Sequence, residues 1–198
     1  MLKKSLSTLT AQPDHFRAKW LFWTLLAMFG SFFIATILVY IILRTQVFLP
    51  IRQVYEPLVL PFVFWPSSAL LIATSLFLER AIWLIRRERV AQFQRWLWFA
   101  AIAAFGFCVL QPLGIHDLIT QHQGSLRSHK FYGFSSVLII VHALHVLGGM
   151  AYLGFVIVQS YRGKYDHERH WAVNHCAGYW HFLDIVWLVM VATFVYIR

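Results

Sequence analysis

Residues 131–161 read FYGFSSVLIIVHALHVLGGMAYLGFVIVQSY, a run without a single Asp, Glu, Lys or Arg. An α-helix rises about 1.5 Å per residue, so about 20 apolar residues cross the hydrocarbon of a bilayer, and this run has turns to spare. Four more stretches read the same way. Trp20–Leu43 and Trp96–Ile115 also lack charges, Pro57–Ile85 carries only Glu79 and Arg80, and Trp171–Ile197 carries only Asp184. Spans of a β-barrel would alternate in polarity over about 10 residues, whereas these runs are continuously apolar. The expected fold is an all-α integral membrane protein with five transmembrane helices.

Composition points the same way. Of 198 residues, 60% are hydrophobic and 13% charged, about half the charge share of a soluble domain. A mean hydropathy of +0.63 with 18% aromatics excludes disorder, which requires too little apolar surface to bury. The first run has no small-residue cleavage pattern behind a short apolar core, so it reads as a retained span and not a signal peptide. The connections are short, which leaves no room for an inserted soluble domain. A single membrane domain over residues 1–198 is expected, with sequential helices antiparallel in an up-and-down bundle. Pro57, Pro61 and Pro66 crowd the start of helix two, where they loosen its first turns.

Lys3, Lys4, Arg17, Lys19, Arg86, Arg87, Arg89, Arg95, Arg162, Lys164 and Arg169 fall on one side of this topology. Arg44, Arg52, Arg127, Lys130 and Arg198 fall on the other, a bias of eleven against five. The positive-inside rule then places the N-terminus inside and the C-terminus outside. The net charge of +9 is thus a topology signal with attraction to anionic lipid, and nucleic acid is not an expected partner.

Ionisable groups in hydrocarbon are costly, so they carry the functional information. On helix four, His142, His145, Gly149 and Tyr152 share one face by spacing. On helix five, Asn174, Ala177, His181, Asp184 and Leu188 form a matching seam. Imidazoles on adjacent helices can hold haem iron, but His142 and His145 are one turn apart and His175 lies near the boundary. No cysteine or glutamate joins them in a closed zinc set. The preferred reading is a structural network in which Asp184 accepts a hydrogen bond from His181 or from His145, with no metal bound. His116, His122 and His129 read as a hydrated loop, and Cys108 and Cys176 as unbridged small residues. Glu79 and Arg80, near the inner end of helix two, are candidates for proton uptake or lipid headgroup contact. Helix one has only Thr24, Ser31 and Thr36 as small hydroxylic breaks. Helix two is therefore expected to lean toward helix one, apart from helices three to five. Arg17, Lys19, Arg86 and Arg87 would attract anionic phospholipid at the mouth of the cleft between the two groups.

Two segments carry a resemblance. His142–Gly149, HALHVLGG, and Tyr179–Trp187, YWHFLDIVW, resemble signatures in the last two spans of subunit III of the haem-copper terminal oxidases, the cytochrome c and quinol oxidases. Weaker likeness at Leu60–Val63 and Leu70–Ser75 extends it upstream. Five helices with an inside N-terminus resemble the short form of that family, which lacks the first two spans. Residue by residue, His142, His145, Gly149, Trp180, His181, Asp184 and Trp187 match. The resemblance implies a subunit without its own redox centre, with haem and copper held by the partner catalytic subunit I. It also implies bound phospholipid in a cleft and support of proton uptake in aerobic respiration, in a bacterial inner membrane. Two usual glutamates of the family are replaced by Gly114 and Asn174, which weakens the proton-uptake reading. A third acidic position aligns with Glu79 or Glu88. The competing readings are an accessory subunit of a nitric oxide reductase, a membrane protein that binds haem itself, and a small proton channel.

Overall fold

The computed structural model describes residues 12–42, 60–121, 129–165 and 170–196. They form five α-helices: α1 Gln12–Ile42, α2 Phe64–Ile85, α3 Val90–Gln121, α4 His129–Tyr161 and α5 Trp171–Tyr196. In hydrocarbon every backbone N–H and C=O must be satisfied within the chain, and a continuously apolar run does this as a helix. Each of the five contains a stretch long and apolar enough to span a membrane.

The helices do not stop where the apolar runs stop. α3 begins at Val90 and not at the expected Trp96, and it continues past Ile115 to Gln121. Backbone hydrogen bonding outlasts hydropathy at the interface. α2 behaves oppositely: Leu60–Val63 is non-helical and the helix opens at Phe64, so Pro66 sits in its first turn, where a missing N–H costs nothing. Pro57 lies outside the described residues.

By contacts the chain divides into two units, one ending at Ala35 and one running from Thr36 to the C-terminus. In the first unit, Thr24 and Ser31 return their hydroxyl protons to the carbonyls of Trp20 and Met28 on their own helix. In the second, α2, α3, α4 and α5 close a ring in which the backbone of each helix runs beside two of the others. Phe64 lies against Gly114, Leu70 against Gly106, and Phe77 against Trp96 and Phe99, an antiparallel register of α2 on α3. Gln94 Nε2 donates to the Ser160 carbonyl across α3 and α4, and Tyr152 Oη donates to the Ala172 carbonyl across α4 and α5. α2 is therefore committed to α3 and α5, and the expected grouping that set it apart from helices three to five is not found. Trp180, Trp187, Phe93, Phe107, Leu71 and Leu78 fill the centre.

The turn from α2 to α3 is tight. Arg87 N donates to Leu84 O, Glu88 N to Ile85 O and Arg89 N to Leu84 O, with Glu88 in the left-handed region at φ 59°.

Candidate functional site

The two signature segments meet at Trp187. Its indole is 1% exposed, stacks on the His142 ring at 5.2 Å and 28°, and meets Phe107 edge-on at 5.5 Å. Its Nε1 donates to Ser68 Oγ at 2.8 Å, and Ser68 passes its own proton to the Phe64 carbonyl at 2.7 Å. Four helices are joined through one side chain: α5 supplies it, α4 the imidazole, α3 Phe107 and α2 the hydroxyl. His142 is fully buried in this stack.

Two turns along α4, Gly149 packs against α5 with little space for a side chain. A Cβ there would lie 3.1 Å from Tyr179 Cε1 and 3.3 Å from both Leu183 Cδ1 and Trp180 Cε2. Tyr179 Oη donates to the His145 carbonyl at 3.0 Å, and His145 Nδ1 lies 2.8 Å from the Val141 carbonyl, to which it donates. The HALHVLGG and YWHFLDIVW segments are thus the two halves of one helix–helix contact.

The expected pairing of Asp184 with His145 or His181 does not form. His181 Nε2 instead lies 3.0 Å from Glu79 Oε1 on α2, an ion pair whenever the imidazole is protonated. Asp184 is buried and faces Ser75 of α2, with His181 within electrostatic range; its Oδ1 has no hydrogen-bond partner among the described residues. The seam read from helical spacing is correspondingly split. Ala177 and Asp184 point inward, whereas the His181 side chain is 39% exposed and turns toward α2. Asn174 is half-buried in the first turn of α5.

The basic residues also find places. Arg80 and Arg87 lie over the Trp83 ring at 4.1 and 3.7 Å from its centroid, so Arg80 is anchored by a cation–π contact. Lys19 and Arg86 are exposed, and the Arg17 side chain lies outside the described residues. At Gly114, one of the two positions where the resembling family carries glutamate, an added Cβ would lie 3.0–3.3 Å from the Phe64 ring, tighter than an ordinary contact. His116 Nδ1 lies 3.9 Å from Asp117 Oδ1; His122 and the His129 side chain lie outside the described residues. Cys108 and Cys176 are both free. Among the described residues no three of His, Cys, Asp and Glu are grouped to hold a metal ion.

Sequence reasoning missed Ser68 and Ser75 as partners of α5, and it missed Gln111, a buried amide on α3 whose two polar atoms meet no partner among the described residues. Gln111 is a lone amide in an apolar run just before Pro112, and that break in the run was the available signal. Among the described residues the site offers packing contacts and one titratable pair, Glu79–His181. Polar contacts between membrane helices average about 0.6 kcal/mol, so Glu79→Gln and His181→Gln should each lower stability by about that much. The double variant should lose little more than the worse single one. Thermal unfolding in detergent checks this, and fully additive losses would disprove the pairing.

No family model matches the chain. The probable cytochrome c oxidase subunit 3 of Nocardia farcinica is 29% identical over 136 residues, 67% of this chain and 65% of that protein. Cytochrome c oxidase subunit 3 of Thermostichus vulcanus is 28% identical over 125 residues, 63% of this chain and 60% of the relative. That of Synechocystis is 30% identical over 125 residues, again 63% of this chain and 52% of the relative. The match spans less than two thirds of the length of each of these relatives. Their shared name, with five helices long and apolar enough to cross a membrane, makes this integral membrane protein similar to the cytochrome c oxidase subunit 3 proteins of bacteria.

Proposed function

We propose that the chain is a non-catalytic structural subunit of a respiratory haem-copper oxidase, packed against a catalytic subunit that holds the haem and copper. The observation that carries this reading is the use made of the signature residues. His142, Gly149, Tyr179, Trp180 and Trp187 are spent on contacts between helices of this chain. Such residues set the shape of a scaffold. Bound phospholipid and a bacterial inner membrane complete the proposal; the relatives are bacterial proteins. The Glu79–His181 pair is the titratable group we assign to assisting proton uptake. Glu79 lies six residues before the end of α2, about 9 Å along the helix, and its side chain is 60% exposed.

Solubilisation of the native membrane in mild detergent, followed by isolation through a tag on this chain, tests the assignment. A large haem protein that reduces oxygen is expected to co-purify, and the chain stripped from it is expected to show no Soret band. A Soret band on the stripped chain would favour direct haem binding. A co-purifying enzyme that reduces nitric oxide and not oxygen would favour the reductase alternative.

A further inference from the structure

On the side of the ring away from the Glu79–His181 pair, α3 and α4 leave a groove of about 530 Å³. Its lining is apolar except at one end. Ala101 and Gly154 are among the small residues within it, Ile157 is a wall, and Trp98, Tyr161 and Arg162 stand at the mouth. The mouth is built: Trp98 Nε1 donates to Tyr161 Oη at 3.0 Å, tying the two rings together across the helix pair. Gly163, at φ +66°, turns the chain immediately after Arg162, and the Gly163 and Lys164 amides close on the Ser160 and Gln159 carbonyls. Arg162 and Lys164 are therefore both exposed at the end of α4, with Arg95 exposed near the start of α3.

Depth and charge select an occupant. From Met150 to Arg162 the groove follows twelve residues of helix, about 18 Å, close to half of the roughly 30 Å hydrocarbon thickness. It thus runs the depth of one leaflet, with cations where headgroups lie and amphipathic rings at the level such rings prefer. An apolar lining that ends in a cation at its mouth matches an acyl chain lying below an anionic headgroup. We propose that the α3–α4 groove holds one acyl chain of an anionic phospholipid, its phosphate facing Arg162 and Lys164. The site stands whether or not the oxidase assignment does.

Gly154 provides a clean probe, because a Cβ there meets nothing within 4 Å. Gly154→Phe fills the groove from a position with space around it. The full chain, in detergent micelles doped with equal amounts of dioleoyl phosphatidylglycerol and dioleoyl phosphatidylcholine, is examined by native mass spectrometry. Phosphatidylglycerol adducts should persist over phosphatidylcholine adducts. Arg162→Gln should weaken phosphatidylglycerol retention about fivefold, the effect of one cation near an anionic surface, while leaving phosphatidylcholine unchanged. Gly154→Phe should remove the persistent adduct without changing the melting temperature. Equal retention of both lipids, or a persistent phosphatidylglycerol adduct unaffected by Arg162→Gln, overturns the proposal. Should Gly154→Phe fold poorly, the Arg162→Gln comparison decides alone.

Discussion

Trp187→Ala is expected to cost about 3–5 kcal/mol of stability, the largest loss from any single truncation considered for this chain. The indole touches three neighbouring helices at once, through the His142 stack, the Phe107 edge and the hydrogen bond to Ser68. Lipid tails are as apolar as the core, so membrane helices are held by dispersion and interhelical hydrogen bonds, and truncation removes both. Trp187→Phe separates them, since it keeps a ring against His142 and drops only the N–H, a change of about 1 kcal/mol. Melting of the two variants in the same detergent should therefore differ widely. Equal melting temperatures would mean that the hydrogen bond, and not the stack, is the essential contact.

Gly149→Leu should be nearly as damaging, at about 3 kcal/mol, because overpacking is relieved only by separating α4 from α5. The added Cβ already meets atoms of Tyr179, Trp180 and Leu183 at 3.1–3.3 Å, so a leucine side chain there must displace its neighbours on α5. The adjacent Gly148 is the control. Its nearest contact is Tyr179 Oη at 3.7 Å, an ordinary van der Waals distance, so Gly148→Ala should stay within about 0.5 kcal/mol of the parent. Limited proteolysis in the α4–α5 connection measures the separation directly. If Gly149→Leu were no more susceptible than Gly148→Ala, the close approach at this residue would not be what holds the pair.

The spans were legible because hydropathy is local: a run such as 131–161 declares a membrane helix without reference to any other part of the chain. Helical spacing also placed His142 and Gly149 on a buried face. Partner choice was not legible. His181 bonds a residue 102 positions away and Trp187 one 119 positions away, both on α2. Periodicity tells which side of a helix a residue occupies, and it is silent on which neighbour stands there. The nearest carboxylate along the chain, Asp184, was therefore the wrong partner for His181. Glu79 was noticed as an isolated charge, yet its role as a link to α5 depends on the ring closure that brings first and last members of the four-helix set together. Gly114 shows the converse, a departure from the family pattern that the Phe64 ring accounts for.

The brevity of the Arg86–Arg89 turn bears on how the protein is made. α2 carries Ser67, Ser68, Thr74, Ser75, Glu79 and Arg80, a heavy polar load for a segment that must leave the translocation channel for lipid. α3 follows after four residues and covers α2 along its length, from Phe64 on Gly114 to Phe77 on Trp96. The two segments are thus closely tethered, and three arginines in the turn hold it on one side of the bilayer. Biogenesis of this chain should proceed by insertion of a preformed α2–α3 hairpin. α5 can dock its Trp187 and His181 onto that hairpin only after α3 and α4 have been made.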